Sequence, residues 1–229
     1  MRRLLYVLLT VITLSSSLWA ELAAQVPVNT VVYGVSYVEV TPASRAAAVA
    51  ALRQYRGTSR NDDAGYISFE FFEQIGRPGH FAILETWSDQ KALDQHGMAA
   101  HTKEFLGKLQ PIRLSGYDQR PYKTVVVGPA PAEASGTMYV LTHVDVAPQG
   151  DTAGLLRRLA EASRSDVGSL RFDVLQHTMR ANHFTVIEAW QNQRALDAHA
   201  AAAHTKQYRD ALQPSLGSPL DERLYKVVE

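Results

Sequence analysis

The sequence predicts an α+β protein: two tandem β-α-β-β-α-β repeats packed on each other as an intramolecular pseudo-dimeric α+β barrel. Three observations carry this. First, ETWSDQKALDQHGMAAHTK at 85–103 recurs as EAWQNQRALDAHAAAAHTK at 188–206, an offset of 103. The same offset joins His80 to His183, Pro111 to Pro214 and Tyr122 to Tyr225; upstream, YVEV at 37–40 matches HVDV at 143–146 with an offset of 106. Second, both copies run through the same order of strand-like and helix-like stretches. Third, GPAPAEASGT at 128–137 separates them as a Pro/Ala/Gly linker.

The elements follow in order. YGVSYVEV and YVLTHVDV are rich in Val and Tyr and read as first strands. A helix comes next. In the first copy Thr41 is placed to cap it with Pro42 at the first helical position; in the second, Asp151 precedes Leu155, Leu156 and Leu159. A turn containing Gly65 or Gly168 leads into YISFEFF or SLRFDVL, where alternation puts Ile67, Phe69 and Phe71, or Leu170, Phe172 and Val174, on one face. RPGH and RANH turn the chain into FAILETW and FTVIEAW. A second helix begins near Ser88 or Gln191, and YKTVVV or LYKVV closes each copy. This order is the ferredoxin-like arrangement. Its antiparallel sheet has helices on one face only, so the other needs a cover, which a second copy supplies by closing a barrel or by packing sheet on sheet.

Composition narrows the function classes. With 23 basic and 23 acidic side chains the chain is formally neutral, which argues against a partner held by phosphate contacts, so no nucleic acid is expected. The absence of cysteine excludes thiolate catalysis, Fe–S clusters and Cys-ligated zinc, and leaves each repeat of roughly 100 residues to be held by its own core. MRRLLYVLLTVITLSSSLWA has a basic start, a short apolar run and small residues after it. It reads as a secretory signal peptide, cleaved after Ala20 or Ala24, with an uncleaved anchor as the other reading. The expected plan is a signal peptide at 1–24, repeats at 30–127 and 138–229, a linker at 128–137, and a periplasmic or secreted product with no stable membrane span after cleavage.

The pattern E-x-W…A-L-x-x-H-x4-H, with Asp63-Ala64-Gly65 and Asp166-Val167-Gly168 at the preceding turns, resembles the antibiotic biosynthesis monooxygenase (ABM) domain of the dimeric α+β barrel superfamily. The resemblance covers both repeats. It implies cofactor-free monooxygenation of quinol-like or polyphenolic aromatics: the substrate loses a proton, and its anion reacts directly with O2 in a dry pocket. A small aromatic substrate and O2 are then the partners, and no cofactor is expected. The chain departs from the family in two ways. Ala100 and Ala203 stand where members often have Pro. The set associated with the haem-degrading branch is missing, with Ser36 or Thr142, His96 or His199, and Leu106 or Leu212 at or near its positions, so haem degradation is disfavoured.

The candidate catalytic residues are Glu85, Glu188, His96 and His199; Trp87, Trp190, Tyr37, His143, Phe69 and Phe172 are candidate substrate contacts. Period-two geometry puts each Glu on one face with its Trp and with apolar neighbours (Phe81 and Ile83, or Phe184 and Val186). A carboxylate there is either paired structurally or functional. His96 is either a base near neutral pH or a helix-to-sheet tie. Five positions separate His96 from His101, about 140° on an unbroken helix, so no metal site is expected without a bend. His101 and His204 open His-Thr-Lys, a point of helix restart. His80 and His183 follow turns and are expected to be exposed, and the Trp residues are expected in the core. Tyr37 and His143 are equivalent but chemically different, so a ligand there would meet unequal halves. Arg120 and Arg223 are placed to pair with Asp118 and Asp221 or to reach across the pseudo-dimer.

Three functional readings follow: an exported oxygenase, a non-catalytic binding or stress-related barrel in which the motif is scaffold, and a chain with one working half. The richer aromatic content of the first copy (Tyr66, Phe69, Phe71, Phe72) points toward the last.

Overall fold

The structure, a computed structural model, describes residues 30–129 and 136–228. The signal-peptide segment and residues 130–135 of the linker lie outside the described residues. The first repeat contains β1 (Val32–Glu39), α1 (Arg45–Asp62), β2 (Tyr66–Gln74), β3 (His80–Trp87), α2 (Gln90–Met98), α3 (Ala100–Leu109) and β4 (Asp118–Val126). The second contains β5 (Met138–Asp145), α4 (Thr152–Ser163), β6 (Ser169–His177), β7 (His183–Trp190), α5 (Gln193–Ala201), α6 (Ala203–Leu212) and β8 (Asp221–Val227).

Local chemistry accounts for these boundaries. Asp151 accepts the Gly154 N–H at 2.8 Å and caps α4. Thr41 precedes a single 3-10 turn at Pro42–Ser44, and the α-helix proper starts at Arg45. Asp89 and Asn192 cap α2 and α5 through the N–H groups of Ala92 and Ala195. Gly65 and Gly168 take φ of +81° and +85°, and a Cβ on either would stand 2.6 Å from the Cβ of Ala92 or Ala195. Only glycine lets this turn sit against the following helix.

The eight strands form one closed barrel in the order β1-β3-β2-β8-β5-β7-β6-β4. The last strand of each repeat does the closing: β4 pairs with its own β1 and with β6 of the other repeat, and β8 pairs with its own β5 and with β2. Closure leaves no sheet edge exposed. One face of every strand fills the barrel, where Tyr33, Val35, Leu84, Tyr122, Tyr139, Leu141, Ile187 and Tyr225 from both repeats form one core. The opposite face packs under the helices, in a separate core for each repeat.

Polar groups close the ends of the barrel interior. At one end Arg171 binds Glu70 of the other repeat at 2.9 Å and Asp173 at 2.5 Å. At the other, the Tyr37 hydroxyl meets His143 Nε2 at 2.7 Å and the Tyr122 hydroxyl meets His183 Nε2 at 2.8 Å, both pairs spanning the repeats. His183 is therefore buried, contrary to the expectation of exposure after a turn; Tyr122 and Asp145 hold its two ring nitrogens. Arg120 and Arg223 pair with Asp118 and Asp221 and also reach across: Arg120 stands 3.4 Å from His143, and Arg223 lies over the Tyr37 ring.

The second helix of each repeat divides in two, and the restart expected at His101 and His204 falls one residue earlier. Ala99 and Ala202 are extended, with ψ of 154° and 149°, and the chain restarts as α3 or α6 at the next residue. In the first repeat the Thr102 hydroxyl donates to the His96 carbonyl at 2.6 Å, satisfying a carbonyl that the break frees. No helix among the described residues is long and apolar enough to cross a membrane.

Candidate functional site

Glu85 and Trp87 sit on the helix-facing side of β3, and Glu188 and Trp190 on that of β7, all among the buried residues. α2 and α5 lay His96 and His199 over the indoles, with ring centroids 4.4 and 4.5 Å apart. The turn at Gly65 or Gly168 brings Asp63 or Asp166 to the other edge of each imidazole: His96 Nδ1 lies 2.7 Å from Asp63 and His199 Nδ1 2.8 Å from Asp166. The break in the helix then turns His101 and His204 onto the same carboxylates, at 2.9 and 3.1 Å. Phe69 contacts the Tyr55 ring and Phe172 the His199 ring edge to face. Tyr37 and His143 face the barrel interior instead, so the structure does not bring them together with the other candidate residues.

The two copies differ in what surrounds the Glu. In the first, Gly34 lies directly opposite Glu85 on β1, and a Cβ there would be 2.9 Å from Glu85 Oε2. The missing side chain lets the carboxylate fold over β1, where it meets His96 Nε2 at 3.1 Å and accepts from Gln119 Nε2 at 3.2 Å. In the second, Val140 stands opposite Glu188. The carboxylate turns the other way, accepts the Trp190 indole N–H at 2.8 Å, and stays 3.9 Å from His199 Nε2. Glu222 replaces Gln119 at the equivalent position on β8, opposite Thr142 as Gln119 is opposite Ser36. A donor has become a second acid.

These differences separate the protonation states. Burial alone would lower the affinity of His96 for a proton, but the hydrogen bond and charge of Glu85, and then of Asp63, raise its pKa overall. His199 is lowered: burial dominates, Asp166 offsets it in part, and His204 and Arg209 add to the fall. The Glu188 carboxyl is pushed up to about 7 by burial, helped by the charge of Glu222 and opposed by the Trp190 hydrogen bond. The second copy thus holds a neutral imidazole beside a carboxyl that titrates near neutral pH.

Space differs as well. The Tyr55 hydroxyl reaches His96 Nε2 at 2.5 Å, and its ring stacks on Phe105 with centroids 4.1 Å apart. Tyr55 corresponds to Leu159, as the equivalent hydrogen bonds from Ser59 and Ser163 back into α1 and α4 show. Tyr117, partly buried and near Glu85, corresponds to Leu220 by the 103 offset. Where the first copy carries two tyrosines, the second has a cavity of about 30 Å³ bounded by Glu188, His199, Thr142, Tyr208, Leu159 and Leu220. That is room for one water. Arg209 and Glu222, 3.7 Å apart and half exposed, stand on its outer side.

Asp63, Asp166, Tyr55, Gln119, Gly34 and Val140 were not among the candidates read from sequence. The acidic-x-Gly turns were visible as motifs, but nothing linear tied them to the histidines. A side-by-side reading of the copies would have singled out the others, since each pair (Gly34 and Val140, Gln119 and Glu222, Tyr55 and Leu159) changes chemistry.

Residues 32–108 and 139–211 match the family described as antibiotic biosynthesis monooxygenase, and the chain belongs to that family, in two tandem copies. Among individual relatives, a Bacillus subtilis (strain 168) protein named "Putative monooxygenase YcnE" is 29% identical over 73 residues, covering 32% of this chain and 76% of its own. A Fusobacterium nucleatum structure described as "Putative monooxygenase" superposes with a TM-score of 0.77 at 16% identity, over 87% of this chain and 93% of that one. An anthrone oxidase-like protein superposes with a TM-score of 0.64 at 13% identity, over 88% and 92%. At these identities the two structures share the fold.

Proposed function

We propose that the chain is an exported, cofactor-independent monooxygenase of quinol-like or polyphenolic aromatics, and that its second repeat carries the reaction. The observation that carries this is the cavity at Glu188 and His199, where a carboxyl with a pKa of about 7 borders open space beside a neutral imidazole. A base tuned near neutral pH suits removal of a proton from a phenol-activated carbon. The family supports the oxygenase class, and the apolar, basic-headed N-terminal sequence supports export to the periplasm or beyond.

For an anthrone-like CH2 group the chemistry balances without a cofactor. Glu188 takes one proton, and the carbanion gives its electrons to O2 as the C–O bond forms. The peroxide then loses water, taking up the proton and cleaving the second C–H bond. One oxygen atom leaves as the ketone and the other as water. Thr142 and Tyr208 supply hydroxyls at the cavity wall for the substrate anion. An aromatic ring does not fit about 30 Å³, so Leu220 and the Arg209–Glu222 pair must swing outward. An exposed ion pair of this kind resists by no more than about 1 kcal/mol.

The test is oxygen uptake with a panel of hydroquinones and anthrones. The expected result is turnover above autoxidation whose kcat/KM rises with pH through about 7, is lost in Glu188→Gln, and survives in Glu85→Gln. Uptake no faster than the uncatalysed reaction across the panel would overturn it. The scaffold reading fits the first repeat, where Glu85 and His96 pair with each other and Tyr55 closes on them.

A further inference from the structure

We propose that Asp63, His96 and His101 form a divalent-metal site of the zinc type in the first repeat. Asp63 Oδ2 lies 2.7 Å from His96 Nδ1 and 2.9 Å from His101 Nε2, and the three ligand atoms all fall within 4.8 Å of one another. Two imidazoles and a carboxylate are a zinc donor set that needs no thiolate. On an unbroken helix the two histidines would diverge; the extended Ala99 between α2 and α3 is what turns both onto one point.

A second observation concerns the far side of His96. A histidine that gives Nδ1 to a metal must carry its proton on Nε2, and ligating histidines are held in that tautomer by an acceptor behind the ring. Glu85 Oε1 is a charged acceptor there, 3.1 Å from Nε2 beside the Tyr55 hydroxyl at 2.5 Å, and it reaches there because Gly34 has no side chain to block it. Asp63 and His101 sit at the outer edge, mostly but not wholly buried, which gives the ion a way in and leaves its fourth position to water. Metal–ligand distances of roughly 2.0–2.2 Å put tetrahedral ligand atoms about 3.3–3.5 Å apart, so Asp63 Oδ2 must draw back from the two nitrogens by roughly half an ångström, a small rotation of its side chain.

The second repeat has the same three residue types, with His199 and His204 at 2.8 and 3.1 Å from Asp166. It lacks the holding acceptor. Val140 stands in the place of Gly34, and Glu188 is drawn to Trp190, 3.9 Å from His199 Nε2. The first site is therefore the tight one, and it lies in the half that Tyr55 and Tyr117 close. It braces α1, α2 and α3 and takes no part in oxidation.

The experiment is equilibrium dialysis of the full chain, stripped with chelator, against micromolar Zn²⁺, followed by metal analysis. Co²⁺ substitution supplies a visible absorption band as a second readout. We expect one equivalent per chain, lost in His101→Ala and Asp63→Asn, kept in His204→Ala and Asp166→Asn, and weakened about 10- to 100-fold in Glu85→Gln. His101→Ala removes a side chain at the surface edge and serves if Asp63→Asn does not fold. No retained metal, two equal sites, or binding indifferent to His101→Ala would each overturn the proposal. Because the readout is metal content, it is independent of whether any quinol is oxidised.

Discussion

At the scale of single residues, one missing side chain decides the chemistry of a repeat. Gly34 allows Glu85 to fold over β1; Val140 denies the same path to Glu188. Gly34→Val should push Glu85 off His96 and Gln119 toward the Trp87 indole N–H, which has no hydrogen-bond partner among the described residues. The expected signs are a downfield shift of the Trp87 indole N–H resonance and a stability loss of about 1–3 kcal/mol, read by NMR and denaturant unfolding. Glu188 makes a separate prediction. Its folded pKa of about 7 exceeds the 4.5 of an unstrained glutamate, so between those values the unfolded chain has released a proton that the folded chain keeps. Stability should therefore fall as pH rises through that window, by on the order of 3 kcal/mol in all. Glu188→Gln should flatten that part of the urea-midpoint profile; an unchanged slope would show that Glu188 does not titrate there.

At the scale of elements, the break between α2 and α3 was legible as a restart at His-Thr-Lys, one residue late, but periodicity does not explain it. In GMAAHTK the one poor helix former is Gly97, and it lies inside α2 rather than at the break; Ala, His, Thr and Lys all tolerate a helix. The break is made by tertiary geometry together with Thr102, which bonds the His96 carbonyl. Ala99 already has the extended ψ that a following proline requires, and Ala100 is the first residue of α3. Ala100→Pro should therefore stabilise the chain by about 0.4–1 kcal/mol, visible as a raised urea midpoint. Loss of stability would mean that the Ala100 N–H is needed. Strand order and the shared face of Glu and Trp were legible because period-two alternation and the repeat offset are properties of the linear chain. The pairing of Asp63 with two histidines was not, since it depends on how the Gly65 turn docks against α2. The aromatic richness of the first copy was visible too, but it fills space there: Tyr55 and Tyr117 close the site that Leu159 and Leu220 leave open.

At the scale of the molecule, closure depends on β4 and β8 each pairing with a strand of both repeats, and on buried groups that bind one repeat to the other. Arg171 is the clearest of these, held between Asp173 of its own strand and Glu70 of the opposite repeat. Arg171→Met would leave the buried Asp173 with only the Gly128 N–H and the more distant Arg164, and a cost of roughly 3 kcal/mol is expected. If the barrel unfolds as one unit, that loss should appear in a single transition, reported equally by probes in either half. Two separate transitions would mean that the repeats fold apart. The general plan was readable from the duplication alone; the identity of the inter-repeat contacts was not, because β2 and β8, and β4 and β6, carry no linear mark of their register.

The continuous chain has a consequence for heredity. Had two identical subunits closed this barrel, any codon change would strike both at once, and a valine helpful to one carboxylate would be forced on the other. Tandem fusion removes that constraint. Each half accumulates its own changes, so one can harden into a buttress while its twin stays soft enough to open.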